Sequence, residues 1–226
     1  MRLLRLLQLA SPALPVGGYS YSQGLEAAVN AGLVTNASDA SNWLFHLLRR
    51  FVGRCEAPLV LLTCAAFDDD NAPLLADYCA FYLASRETAA ARDETRQMAW
   101  SLRKLALELK WLSFAKQDVL QGLLEPVYPV VFAMCATALG IESDLVLFGY
   151  LFAWLENQVI ALQKLAPVGQ SAGQLLLHQI SEQIPAVLVD ARRRAELGVE
   201  AIETMAPHLG ILMSRHESQY SRIFRT

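Results

Sequence analysis

The side chains that could do chemistry in this chain are few and scattered. Histidines stand at positions 46, 178, 208 and 216. His46 and His178 fall in helical stretches and read as surface or packing residues, whereas His208 and His216 lie among polar neighbours that leave room for a functional role. His216-Glu217 begins like the zinc-protease motif H-E-x-x-H but lacks the second histidine. Ser11, Ser20, Ser22 and Ser221 lie outside any G-x-S-x-G elbow, and no base can be assigned to them. There is no G-x-x-x-x-G-K-[ST] loop and no G-x-G-x-x-G turn, so the chain lacks both the backbone cradle and the lysine that nucleotide hydrolysis requires. Cys55, Cys64, Cys79 and Cys135 are separated by 9, 15 and 56 residues and never form C-x-x-C. Among apolar neighbours they are expected to be buried free thiols, as in a reducing cytoplasm, rather than disulfides or a metal site.

Three groups of residues suit recognition better than catalysis. Glu94, Arg96 and Gln97 would present a carboxylate, a guanidinium fork and an amide on or beside one helix face, unless they are merely solvated charges. Gly169, Gln170, Gly173 and Gln174, after Pro167, would allow close backbone approach with amides free to bond across an interface, or would simply end one helix and begin another. The segment from Arg215 to Arg225 contains His216, Glu217, Gln219, Tyr220, Arg222 and Phe224. Tyr220 and Phe224 are four apart, so a short helix would align them as anchors on one face, with the arginines free for carboxylates or phosphate. The plain alternative is a disordered basic tail.

The elements that must position these groups are helical. Apolar residues recur at spacings of three and four, and strict alternation bounded by hairpin turns is absent. The expected fold is all-α, one compact helical bundle of about eight to ten helices. A core over 1–206 would carry an N-terminal loop, and 207–226 would form a partner-binding tail that frays or orders against a partner. After an amphipathic stretch at Leu3 to Leu9, Ser11-Pro12-Ala13-Leu14-Pro15-Val16-Gly17-Gly18 reads as a shaped turn before a helix running from near Ser20 to Gly32. Ser38 is expected to cap the next helix, and Ser143 or Asp144 a long apolar one reaching about Leu165. Met98, Leu102, Leu105, Leu109 and Leu112 form a stripe, and Pro185 is expected to bend a long segment from Gln170 to Gly198.

With 226 residues, 54% hydrophobic and 18% charged, the chain is too apolar for a disordered protein. Size scaling gives about 10,000 Å² of folded surface around one sizeable core. A mean hydropathy of +0.29 favours an obligate partner or a homodimer. The net charge of -3 offers a polyanion little attraction, so no nucleic-acid partner is expected. The uncharged stretch from Pro126 to Ile141 falls short of the about 20 residues that span a bilayer, and the next ends in Glu156-Asn157-Gln158, so no membrane segment is expected.

The run from Ser11 to Glu26, SPALPVGGYSYSQGLE, resembles the signature opening of the urease accessory protein F family. Glu94-Thr95-Arg96-Gln97-Met98, Pro129-Val130-Val131-Phe132, Pro167-Val168-Gly169-Gln170 with Gly173-Gln174, and the ending from His216 to Arg225 are similar to that family in the same order. The resemblance implies a non-enzymatic, all-helical cytoplasmic homodimer acting in urease maturation. It would be a scaffold joining the D-type (also called H) accessory protein to the nickel-carrying GTPase G and, through them, to apo-urease. Nothing would be bound tightly: nickel would be in transit, and GTP with magnesium would sit on the partner GTPase. Pro12, Pro15, Gly17, Gly18, Tyr19, Tyr21 and Glu26 of the opening, with the tail, would contribute to partner contacts, the tail ordering when the D-type protein binds. The Gly169 segment would help shape the dimer or the GTPase-facing region. A trans-acting regulator that accelerates or gates the GTPase is the first alternative, an unrelated helical enzyme the second. Tyr19, Tyr128 and Lys164 depart from residues frequent in the family (Phe, His and Arg), which puts in doubt any role carried by that histidine or by an arginine fork.

Overall fold

The segment most uniformly apolar in sequence, from about 126 to 155, forms the centre of the molecule in the computed structural model, which describes residues 1–226. Twelve α-helices carry the chain: α1 (Arg2–Ala10), α2 (Leu25–Asn30), α3 (Ala37–His46), α4 (Glu56–Asp68), α5 (Ala72–Ala84), α6 (Ala89–Glu108), α7 (Phe114–Gly122), α8 (Tyr128–Ala138), α9 (Ser143–Leu165), α10 (Gln170–Ser181), α11 (Ile184–Leu197) and α12 (Pro207–Glu217). No strand is present, and the helices form one domain with 10753 Å² of accessible surface.

Helix α8 opens with Pro129 in its first turn, where a missing N–H costs nothing, and buries every residue from Pro129 to Ala136. An all-round apolar helix must be surrounded, and α8 is packed by α4, α6 and α9. Helix α4 is nearly as apolar; Thr63 within it donates its hydroxyl to the Leu59 carbonyl at 2.7 Å. Helix α9 is long and apolar enough to cross a membrane by length and composition, yet 61% of its apolar window is buried among other helices. Gly149 on α9 lets α1 approach, since a side chain there would collide with Leu6. All four cysteines are free and buried, as expected.

Several helix ends differ from the sequence expectation, each for a local reason. The loop after α1 continues through a 3-10 turn at Gly18–Ser20, and α2 starts only at Leu25, because Gln23 and Gly24 take positive φ values of 52° and 82°. Asn36 rather than Ser38 caps α3, accepting from Ser38 N at 2.9 Å and Asp39 N at 3.1 Å. No side chain caps α9; Asp144 pairs instead with Arg192 of α11. Helix α6 stops at Glu108 where Lys110 turns left-handed, so Leu109 leaves the stripe and is exposed while Leu112 stays buried. Pro185 does not bend one long helix: the chain breaks after Ser181, and Pro185 sits in the first turn of the separate α11.

A π-helical turn over Leu47–Val52 prolongs α3 and ends with Gly53 N–H bonded to Leu48 O at 2.8 Å. Gly53 is required by packing, because an added Cβ would lie 2.6 Å from Leu48 O and 2.9 Å from Val187 of α11.

The largest correction concerns 207–226. Rather than a tail that frays until a partner arrives, it forms α12 against α2 and α6, followed by an irregular segment folded back on the domain. Leu212 and Phe224 join Leu25, Ala28, Val34, Leu162, Val168 and Leu176 in a second, smaller core.

Candidate functional site

Short polar side chains in the N-terminal loop, on α6 and after α12 converge on a buried network. The loop is anchored by buried Leu14 and Val16, with Pro15 exposed between them and Pro12 exposed before them. Gly17 takes a φ of 80°, which a side chain would resist. Gln23 holds a left-handed backbone without being glycine, and its side chain accounts for this. Its Nε2 donates to Glu94 Oε1 at 2.7 Å, while its Oε1 accepts from Trp154 Nε1 at 2.6 Å.

Two carboxylates, Glu26 on α2 and Glu94 on α6, are 3% and 6% exposed, and both hold the last residues. Glu26 accepts from Ile223 N at 2.8 Å and Phe224 N at 2.9 Å, and its Oε2 lies 2.9 Å from Nε2 of His216. Glu94 Oε2 accepts from the Thr226 hydroxyl at 2.8 Å. Ser22 donates both its N–H, at 3.0 Å, and its hydroxyl to the Thr226 main-chain oxygen. Arg225 N bonds Ser20 O at 2.8 Å, and its guanidinium reaches Gln97 Oε1 at 3.1 Å, an atom that also accepts from the Tyr21 hydroxyl at 3.2 Å. A loop and a segment some 200 positions away in sequence are thereby clasped together.

Electrostatics separates the two acids. Burial works to raise Glu26, but the Ile223 N–H, His216 and the Phe224 N–H outweigh it and hold the carboxyl below its ordinary 4.5. Burial dominates at Glu94 and pushes it from 4.5 up to about 7, against the opposing hydrogen bonds from Gln23 and Thr226.

The residues singled out in the sequence thus divide. Tyr21, Glu26, Glu94, His216 and Phe224 are buried in or beside the clasp; Gln97 and Arg225 lie on its rim; and Pro12, Pro15 and Tyr19 face solvent beside it. Glu94, Arg96 and Gln97 do not share one presented face: Arg96 turns aside to Glu125 at 2.9 Å and Asp93 at 3.7 Å. Glu217 accepts from Ala90 N at 2.8 Å and so fixes α12 to the start of α6. Gln219 bonds only within its own segment, to Ser221 O at 2.6 Å, while Arg215 and Arg222 are exposed without ion pairs. Tyr220 and Phe224 do not align on a helix face, because α12 ends at Glu217; Tyr220 is 106% exposed and Phe224 4%. Gly169, Gln170 and Gln174 are exposed around the start of α10, and Gly173 packs against Gln163 and Val159 of α9. That segment borders the small core holding Phe224, over whose ring Lys164 Nζ lies at 5.5 Å.

A second polar cluster escaped the sequence reading. Glu56, at the start of α4, accepts from the Tyr82 hydroxyl at 2.6 Å and the Tyr150 hydroxyl at 2.7 Å. Arg86 lies 3.8 Å from Glu56, stacks over Tyr82 at 4.4 Å and Phe51 at 4.9 Å, and reaches Cys55 Sγ at 3.2 Å. Lone charges beside apolar helices were the available signal. A cavity of about 110 Å³ separates this cluster from Glu94, with Leu14, Val16, Met98 and Met213 among its walls.

The arrangement holds and presents. Ser22 spends its hydroxyl on a main-chain oxygen, so it has no base to activate it, and no three His, Cys, Asp or Glu side chains converge as a metal-binding group. What emerges at the surface is a composite face in which Tyr19, Tyr220, Arg222 and Ile223 stand out from a rigid base.

Comparison with known proteins fits this picture. A family model described as UreF matches residues 34–181. The urease accessory protein UreF of Delftia acidovorans (strain DSM 14801 / SPH-1) is 44% identical over 230 residues, covering 99% of this chain and 97% of its own length. Proteins of the same name from Cupriavidus metallidurans (strain ATCC 43123 / DSM 2839 / NBRC 102507 / CH34) and Ralstonia pickettii (strain 12J) are each 41% identical over 225 residues, covering 100% of this chain and 98% of theirs.

Proposed function

Because the chain belongs to the UreF family of urease accessory proteins and so takes part in urease maturation beside other accessory proteins, we propose that it is a non-enzymatic cytoplasmic scaffold. In this reading a homodimer links the D/H-type accessory protein to the nickel-carrying GTPase G, so that GTP hydrolysis on the partner releases nickel toward apo-urease. The observation that carries the reading is the clasp: buried Glu26 and Glu94 fix a loop and a distant segment into one surface, and the aromatic and basic side chains left outside have no role in packing. Preorganised exposed aromatics and arginines are the groups that dominate protein interfaces. The exposed face of α1, with Leu3, Leu4 and Leu7, supports self-association. The buried free thiols agree with a reducing compartment.

A regulatory variant is favoured by one feature. Arg215 and Arg222 are exposed without an ion pair, which leaves two guanidiniums available to reach a nucleotide on the GTPase in trans.

The test is reconstitution with the D/H-type protein, the GTPase, apo-urease, nickel and GTP, using Tyr220→Ala/Ile223→Ala and Tyr19→Ala variants, which leave the core untouched. Light scattering should give a dimer for every variant, with loss of partner co-elution and of urease activation in the tail double variant. Monomers, or full activation by both variants, would overturn the scaffold reading; a selective loss of GTP turnover in Arg215→Ala/Arg222→Ala with assembly intact would replace it by the regulatory one.

A further inference from the structure

On the side formed by α3, its π-helical turn and α11, a cleft of about 330 Å³ is lined by Phe45, His46, Arg49, Arg50, Arg54 and Asp190, with Gly53 and Val187 as its floor. The lining residues before α11 come from three pairs of positions, 45/46, 49/50 and 53/54. In an uninterrupted α-helix each step of four residues advances about 40°, so the third pair would drift about 80° from the first. The wide turn reverses that drift. With Gly53 N–H bonded five residues back to Leu48 O, the rotation per residue falls and the third pair returns to the face of the first. Gly53 also lets α11 close in at Val187, which makes the face concave. A π turn is a rare way to continue a helix and is frequent at functional sites.

The charges in the cleft are unevenly matched. Asp190 is taken by Arg193 at 2.7 Å and Arg194 at 2.9 Å, both on its own helix. Arg54 is taken by Glu203 at 2.7 Å. Arg49 and Arg50 are exposed and have no carboxylate partner; Arg49 lies over the Phe45 ring at 5.6 Å, which holds its guanidinium above the cleft. Two free guanidiniums thus line a concave site on a chain whose net charge is -3.

We propose that this cleft binds a compact phosphate-bearing anion, with Arg49 and Arg50 as its principal ligands. Adjacent guanidinium forks match clustered phosphate oxygens, and the volume suits a small ligand. The apolar lining, confined to Phe45, Ala186 and Val187, offers no deep pocket for the hydrophobic anchor that a docked peptide needs. The proposal is independent of the maturation role above.

Calorimetry of the full chain with sodium pyrophosphate tests it, accompanied by amide chemical shifts of the labelled protein. Arg49→Gln/Arg50→Gln removes the ligands at exposed positions, and Lys104→Gln/Lys110→Gln removes the same charge elsewhere. The expected result is saturable binding by the wild type, at least about tenfold weaker in the arginine variant and unchanged in the lysine variant, with shifts centred on 45–54 and 186–190. Absence of saturable binding, or equal weakening in both variants, would overturn it. Binding of a glutamate-rich peptide but not of pyrophosphate would also overturn it, replacing it by a docking surface for acidic protein.

Discussion

Glu26 and His216 are 190 positions apart in the chain and 2.9 Å apart in space, with Glu26 simultaneously accepting the main-chain N–H groups of Ile223 and Phe224. One buried carboxylate therefore satisfies three donors from the last eleven residues. Replacing it with alanine strands those donors, whereas glutamine keeps an acceptor.

Glu26→Ala is expected to free residues 216–226 while the helical core stays folded. Hydrogen bonds to a charged group contribute about 1.5–3 kcal/mol each, so native-state hydrogen exchange of Ile223 and Phe224 should accelerate at least about tenfold. Glu26→Gln should lie between wild type and alanine. Unchanged protection in Glu26→Ala would show that Phe224 packing alone holds the segment.

The opposite shifts of the two acids set a pH window for the clasp. Glu94 is raised from 4.5 to about 7, so its contribution is fully present below 4.5, declines as pH rises, and is gone above 7. The whole contribution amounts to about 3 kcal/mol. Glu26 is lowered, so its contribution is present above 4.5 and is lost as pH falls through its folded value. Stability of the fold, read as a urea midpoint, should on Glu94's account fall between about pH 4.5 and about pH 7. Glu94→Gln, which mimics the protonated acid, should abolish that slope; a slope that persists in the variant would assign it to another group.

Arg86→Met should be among the most destabilising single changes, since it leaves Glu56 buried with two tyrosine hydroxyls and no cation. Breaking one side of a buried pair costs about 3–5 kcal/mol, read as a shift in the urea midpoint. Glu56→Gln/Arg86→Met should recover part of that loss. If the single variant matches wild type, the long 3.8 Å pair contributes little and the tyrosines alone hold Glu56.

Burial pushes the thiols of Cys55, Cys64 and Cys79 up to about 11 and that of Cys135 to about 12. Almost no thiolate exists near neutral pH, and none of the four side chains is exposed. A disulfide reagent should modify none of them in the native protein and all four in denaturant. Rapid labelling of one thiol without unfolding would reveal a local opening at that helix.

The helices were legible wherever a single helix decides its own pattern. The amphipathic stretch at Leu3 to Leu9 and the long apolar helix reaching Leu165 fall where periodicity and composition put them. Legibility failed where another residue, near or distant, takes over a local role. Asn36 pre-empts Ser38 as a cap, and Asp144 leaves its helix start for Arg192. The segment from Arg215 to Arg225 looked unfoldable by itself because its apolar residues are few, yet Phe224 and Leu212 complete a core whose other members lie on α2, α9 and α10. The clasp was half visible: Glu26, Glu94, His216 and Arg225 stood out as polar groups in distinctive runs, but that they meet one another depends on the order in which the helices stack. Ser22 reads in sequence only as a candidate nucleophile and Thr226 carries no mark there, because a hydroxyl shows its structural role only once its partner is near.

The clasp also bears on biosynthesis. Its acceptors at Ser20 and Glu26 precede their donors at His216, Ile223, Phe224 and Arg225 by 190 or more positions, so a growing chain carries the Glu26 carboxylate without these donors, and the small core unplugged, until they are made. Contacts of such long sequence separation form late, after the local helices have paid their own ordering entropy. The surface carrying Tyr19 and Tyr220 is therefore assembled only once residues 216–226 have been made, and a chain broken off before them cannot form it.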